Sequence, residues 1–345
     1  MVAHGFKTIK VENLELGMHI RIPLPWYEYP FVANQFTIKS QEDITSIRGL
    51  GLQEVEYDIW QSACITAPPD PTPSPDPVPS PVSAPPVTLE ENDLATARQR
   101  ELTNELITTV RDQQIPPEEK APLIRQHSFA MMQNLLQYPT AANINETKKG
   151  TSSIVSLILN DNDTLRYLLD ITSHDYFTFT HSVEVGILSV ALIKTLFLDS
   201  RLHDLNALGA GFFLHDLGKT QIDQAIIDKP GKLTDEEMTE MRKHSVLGYQ
   251  ILLDAKQLTE ESKTIILQHH ERMDGQGYPK GLNSDQIHLY GRVCIIADVY
   301  DALITNRSYR RPLKPFEALK LMQKEMSGHF QKKLFEQFVI LLSPS

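Results

Sequence analysis

From Ser152 onward, apolar residues recur every three or four positions with charged residues between them, the period of an amphipathic helix. The pattern predicts helices over 153–160, 163–171, 175–197, 203–216, 234–253, 259–270, 291–304, 315–326 and 332–341. No alternating strand pattern interrupts them. Thr234 before Asp235-Glu236-Glu237 adds a start signal, an N-cap with Glu237 at the capping-box position. Upstream, Leu94, Leu102, Leu106, Ile107 and Val110 share helical spacing in a charged stretch. That helix suits a connector, a dimer contact or an ordinary packed helix. Residues 1–65 differ. Short apolar stretches at Met18–Ile22, Val32–Ile38 and Val55–Trp60 are separated by Gly and Pro punctuation. Glu42–Arg48, with Ile44 and Ile47 at helical spacing, reads as a short helix ending at Gly49. The expected architecture is an all-α domain preceded by a small α+β or mostly β one.

Proline sharpens this division. From Pro68 to Pro86 about every second residue is proline, which favours extended polyproline II and packs no core. The expected organisation is a small domain at 1–65, a linker at 66–88, a helical connector at 89–150 and a larger helical domain at 151–345. A receiver domain does not fit before the linker. The length of 345 residues and an apolar content of 41% suit two domains with a real core. The net charge of -11 argues against DNA or RNA binding by general electrostatics, but not against a phosphate held locally or through a metal. Two distant cysteines, Cys64 and Cys294, indicate neither a disulfide framework nor a zinc–thiolate site, which fits a reducing cytoplasm. The stretch Met1–Lys7 lacks the apolar core of a signal peptide. The longest apolar cluster, near Ile187–Leu198, is broken by Lys194, so no membrane span is expected.

The candidate chemistry lies in an ordered series of histidines and carboxylates: His181, His215, Asp216, His244, His269, His270 and Asp298. Imidazole and carboxylate together suit zinc, iron, manganese or nickel. Neighbouring helical residues point about 100° apart, so both members of His215-Asp216 or His269-His270 reach one site most easily at a helix end. Both pairs precede glycine, Gly218 and Gly275, where helices are expected to stop. Asp216 has two oxygens and can bridge two ions. Isolated histidines are more often packed core residues, and His203, His288 and His329 are read that way. Two pairs with two further single ligands are different, because burying so many ionisable groups by accident is costly.

His215-Asp216-Leu217-Gly218-Lys219 resembles the signature of the HD superfamily of metal-dependent phosphohydrolases. His269-His270-Glu271 followed by Asp274-Gly275-Gln276-Gly277-Tyr278-Pro279 resembles the HD-GYP subfamily. Asp298–Leu303 and then Arg307-Ser308-Tyr309-Arg310 are similar to its last motif. The likeness spans roughly residues 165–340. It implies an all-α fold and hydrolysis of a cyclic dinucleotide, chiefly cyclic di-GMP, with two or three metals, often iron or manganese; nickel or zinc stay open. Carried over by motif, one metal takes His181, His215, Asp216 and Asp298. The second shares Asp216 and takes His244, His269 and His270. Metal binding lowers the pKa of the attacking water, so no side-chain base is required.

Trinuclear members of the subfamily place a glutamate four residues before the first ligand histidine. Phe177 stands there in this chain, which implies a binuclear site and a reaction stopping at the linear dinucleotide, pGpG. By the same resemblance Lys219 sets a positive charge against a phosphate oxygen or leaving group. The alternative is a solvated lysine at a helix C-terminus. Arg307 and Arg310 resemble phosphate ligands able to grip in a fork. Tyr278 can stack on or hydrogen-bond a guanine, and Gly275 and Gly277 permit a close-approaching loop. Asp301 shares a helical face with Asp298 and can orient Lys219 or an arginine, or form a structural ion pair. The alternatives are 3′,3′-cyclic GMP-AMP as substrate, or a catalytically silent receptor whose Gly-Tyr-Pro loop contacts a GGDEF-type partner. Residues 1–65 resemble a small domain of uncertain function found before HD-GYP domains. A homodimer is left open.

Overall fold

The computed structural model describes residues 6–21, 35–38, 40–49, 52–58, 89–170, 177–196, 204–229, 231–305, 312–326 and 328–343. The chain divides into two compact units. The first holds β1 (Phe6–Lys10), β2 (His19–Arg21), β3 (Gln35–Thr37), α1 (Gln41–Arg48) and β4 (Glu54–Asp58). The strands form one antiparallel sheet in the order β1-β4-β2-β3, with Ile9 opposite Val55 and Ile20 opposite Tyr57. Helix α1 starts where Ser40 and Asp43 cap each other's backbone N–H groups. Its apolar face, Ile44 and Ile47, joins Met18, Ile20, Ile38 and Val55 in a small core. The unit is therefore α+β. Strand β1 was not among the expected elements, because Phe6–Lys10 carries two lysines in five residues.

The second unit is helical throughout: α2 (Leu89–Arg111), α3 (Pro117–Gln137), α4 (Ala141–Asn160), α5 (Asn162–Asp170), α6 (Thr178–Leu196), α7 (Leu205–Phe213), α8 (Gln224–Ile227), α9 (Asp235–Met241), α10 (His244–Asp254), α11 (Glu260–Gln268), α12 (Leu289–Ile304), α13 (Pro315–Glu325) and α14 (Lys332–Leu341). Helix α6 lies at its centre, in contact with α3, α4, α5, α7, α12 and α14. All residues from Thr180 to Ile193 are buried. This 19-residue helix is long and apolar enough to cross a membrane, contrary to the expectation from Lys194, and 78% of its most apolar window is buried inside the protein. Lys194 reaches out of the core to Asn162 and the Ile158 carbonyl, both at 2.6 Å.

Two expectations change. The helix expected over 234–253 is two, α9 and α10, broken at Arg242-Lys243, which makes His244 the first residue of α10. The boundary expected at residue 150 falls inside α4, which packs on α7 and α6. Helices α2, α3 and α4 share buried polar contacts: Gln99 donates to Thr147 at 2.7 Å, and Asn134 donates to Gln99 at 2.6 Å. The segment 89–150 is thus packed into the helical unit.

Candidate metal centre

Each ligand side chain sits where its helix begins, ends or is most buried. His215 and Asp216 occupy the turn between α7 and a 3-10 turn at Leu217–Gln221. His269 is the C-cap of α11, and His270 follows it. The adjacent pairs therefore lie at helix ends, where successive side chains converge beyond the last turn. His181 comes from the first turn of α6 and Asp298 from the buried face of α12.

These side chains form two groups, His181–His215–Asp298 and Asp216–His244–His269–His270, with the candidate ligand atoms of each group within 4.8 Å of one another. Asp216 faces both. Its Oδ2 lies 3.5 Å from His215 Nε2 and 3.6 Å from His181 Nε2, and its Oδ1 lies 3.4 Å from His244 Nε2 and 3.8 Å from His269 Nε2. Asp298 also spans the groups, with Oδ1 3.0 Å from His181 Nε2 and Oδ2 3.5 Å from His270 Nδ1.

The imidazoles are oriented from behind. Nδ1 of His215, His244 and His269 donates to the carbonyl three residues earlier, Phe212, Met241 and Ile266, at 2.8, 2.7 and 2.8 Å. His181 Nδ1 donates to Asp301 Oδ2 at 2.6 Å. A proton held on Nδ1 leaves the lone pair on Nε2, the atom each ring turns toward Asp216. His215 Nε2 and Asp216 Oδ1 are buried without a hydrogen-bond partner among the described residues. Buried acceptors without donors are costly, and an ion would satisfy both. This donor set of imidazole nitrogens and carboxylate oxygens fits a divalent metal.

Electrostatics favour the ligating forms. Burial pushes His215 down to about 4, against the pull of Asp216, and His244 down to about 3. Burial and the neighbouring His269 push His270 well below the usual histidine range. Burial alone would raise the Asp216 carboxyl, but Lys219 and His215 hold it well below the usual carboxylate range. For Asp298 the same penalty is outweighed by the rings of His181, His270 and His215 around it, and its carboxyl lies below the usual range. Neutral imidazoles and ionised carboxylates are the species that bind metal.

Lys219 Nζ lies 2.5 Å from Asp216 Oδ2, at the edge of the cluster. The Tyr278 ring stacks on His270 at 4.7 Å, with the Arg242 guanidinium 5.3 Å from the Tyr278 centroid. The loop carrying Tyr278 is held by Glu271, a fully buried carboxylate accepting from the N–H groups of Lys280 and Leu282 at 2.8 Å each. Gly277 is needed there, because a Cβ would lie 2.4 Å from the Arg272 nitrogen, and Gly275 has φ +76°. Asp301, expected beside Lys219 or an arginine, has His181 as its hydrogen-bond partner. Spacing from Asp298 located Asp301 but not this partner, which is 120 residues away. The role of Glu271 also escaped sequence reasoning, although it sits inside the quoted motif. Arg307 and Arg310 lie outside the described residues, as does His203. His288 caps α12 and His329 is buried, and neither belongs to a ligand group among the described residues.

Residues 171–334 match the HD domain family, and residues 6–149 match a domain of unknown function, DUF3391. The chain is 31% identical over 337 residues to a cyclic di-GMP phosphodiesterase of Pseudomonas aeruginosa, covering 96% of this chain and 76% of that protein. A probable cyclic di-GMP phosphodiesterase and a 3′3′-cGAMP-specific phosphodiesterase of Vibrio cholerae are each 42% identical, over 134 and 124 residues. Those matches cover 37% and 36% of this chain but only 30% and 24% of the Vibrio proteins. In fold, the chain is similar to an HDG"Y"P protein from Bdellovibrio bacteriovorus, with a TM-score of 0.59, 18% identity and coverage of 98% and 99% of the two chains. The paired ligand groups and the near full-length Pseudomonas relative lead to one assignment: the chain belongs to the HD-domain metal-dependent phosphohydrolases, in the HD-GYP group of cyclic-dinucleotide phosphodiesterases.

Proposed function

We propose that this chain hydrolyses cyclic di-GMP to linear pGpG at a site holding two divalent metals, with iron or manganese as the native ions. The observation that carries the reading is the position of Asp216, one oxygen toward each ligand group. His181, His215 and Asp298 with Asp216 would hold one ion, and His244, His269 and His270 with the same Asp216 the other. Divalent metals bound there supply Lewis acidity and make a coordinated water acidic enough to act as a nucleophile near neutral pH. The surrounding residues bind and orient the substrate. Lys219 sets its ammonium beside the phosphate or the leaving oxygen, and Arg307 and Arg310 grip phosphate oxygens. Tyr278, held on a loop that Gly275 and Gly277 allow to approach closely, offers a ring to a guanine. The fold of 1–65 and the proline segment suit a regulatory domain on a linker, and a cytoplasmic setting suits the substrate. A GGDEF-type partner at the Gly-Tyr-Pro loop and a homodimer are compatible assemblies.

The second reading keeps the chemistry and changes the substrate to 3′,3′-cyclic GMP-AMP. It is favoured by the Vibrio relatives named for that specificity. A silent receptor fits less well, because every ligand position for two ions is filled.

The test is anaerobic purification, metal quantification, and separate incubation with cyclic di-GMP and cyclic GMP-AMP with products resolved by chromatography. Two ions per chain and pGpG from the first substrate are expected. Asp216→Ala should abolish metal loading and turnover together. No turnover of either substrate with iron or manganese sinks the enzymatic reading, and activity surviving in Asp216→Ala sinks the bridging carboxylate.

A further inference from the structure

Behind His181 lies a buried charge cluster that the reaction scheme does not use. Arg125, on α3, is 5% exposed, yet its guanidinium pairs with Glu184, which is also 5% exposed. A second guanidinium nitrogen donates to the Leu168 carbonyl at 2.5 Å. Glu184 stands three residues after His181 on α6, hence on the same side of the helix one turn on. Arg125, Glu184, Tyr300 and Asp301 all line one cavity of about 20 Å³. Asp301 is the carboxylate that fixes the His181 tautomer. Two acidic side chains thus share one small, largely aliphatic space near His181, and Arg125 is the cation lining it. Its own pKa is lowered to about 10 by burial, with Asp301 opposing the shift.

We propose that Arg125 is a positioning residue for the first metal group: it supplies the countercharge for Glu184 and Asp301, and so keeps Asp301 on Nδ1 of His181 and Nε2 toward the ion. The inference rests on the two-ion reading above. It gives the helical part of the segment matched by the domain of unknown function a direct task at the site, since Arg125 lies within residues 6–149. Removing the guanidinium leaves two carboxylates around one cavity with no fixed cation among the described residues that line it. Asp301 is then free to turn from His181, and the ring loses the support that sets its tautomer. His244, His269 and His270 take their orientation elsewhere, from backbone carbonyls in the cases of His244 and His269. The defect should therefore be confined to one of the two ions.

The test is a manganese titration of the metal-depleted full chain, read by calorimetry and by the electron paramagnetic resonance of bound ion. The unmodified chain should take up two ions. Arg125→Met should weaken one binding step by up to about tenfold, the lower end of the effect of losing the histidine's own outer partner, Asp301, and leave the other within about twofold. Arg125→Lys, which keeps the charge but not the fork, should fall between. It also serves if the methionine variant does not fold. Equal weakening of both steps marks Arg125 as merely structural and overturns the proposal, as does an unchanged titration in either folded variant. Fewer than two ions on the unmodified chain overturns the two-ion reading itself, a result distinguishable from failure of the variants.

Discussion

The oxygens of Asp216 meet His181, His215, Lys219, His244 and His269, and the proposed count of two ions turns on a residue of the neighbouring helix end, Phe177. It lies one turn before His181, whose N–H donates to the Phe177 carbonyl, and its ring is 54% exposed and stacked on Phe179 at 5.2 Å. A phenyl ring offers no ligand atom. Phe177→Glu should raise the metal content from two ions per chain toward three, measured by mass spectrometry of the digested protein. Three ions on the unmodified chain would show that position 177 does not limit the count. The residues that cluster here were legible in the sequence, because adjacent His-Asp and His-His pairs ahead of glycine have few structural uses. Partners that act through space, such as Asp301 on His181 and Arg125 on Glu184, left no local signal, since 120 and 59 residues separate them.

Between elements, the closest constraint is at the 3-10 turn that carries the His-Asp pair into the site. A Cβ on Gly218 would lie 1.8 Å from the His244 carbonyl oxygen and 2.4 Å from the Gly248 nitrogen. Both are backbone atoms of α10 and cannot rotate aside. Gly218→Ala should destabilise the protein by roughly 2–3 kcal/mol, at the upper end for overpacking, and lower its metal content by parting Asp216 from His244. Thermal unfolding and metal analysis check this, and an unchanged midpoint with full metal would refute it. The same level explains what periodicity did not reveal. Helix α3 begins with Pro117, carries Pro122 and buries Lys120, Arg125 and Ser128. Helix α4 buries Asn143, Thr147, Gly150 and Thr151 along its first half. These polar and small residues interrupt the buried apolar positions, Ile124, Met131 and Leu135 in α3 and Ile144 and Ile154 in α4, and blur their period. From α5 onward most helices bury apolar faces and were legible; the exceptions are the four-residue α8, which was not expected and, like α9, buries no residue, and the break between α9 and α10.

For the whole molecule, the buried histidines set a pH limit. His215 and His329 are lowered to about 4 and His244 to about 3, burial being the main cause in each. In the unfolded chain these groups take up protons near 6.5. Their folded pKa values lie below that, so between the two the unfolded state binds more protons and gains on the folded one. The stability of the metal-depleted protein should be full above about pH 6.5 and fall by a few kcal/mol as pH drops toward 4. Urea unfolding at pH 7.5, 6 and 5 measures it, and a midpoint independent of pH over that range would contradict the burial of these rings.

The path of α4 bears on how such proteins can be rearranged by evolution. The family match of the N-terminal domain stops at residue 149 and that of the HD domain starts at 171, yet α4 runs from Ala141 to Asn160 and packs beneath the ligand-bearing helix α6. A recombination event at the family boundary would cut a helix and strip the cover from an apolar core. Exchange near the proline-rich stretch before α2 would cut neither. Helices α2 to α4 are then inherited with the metal centre, and the small sheet domain is the piece that such an exchange separates from them.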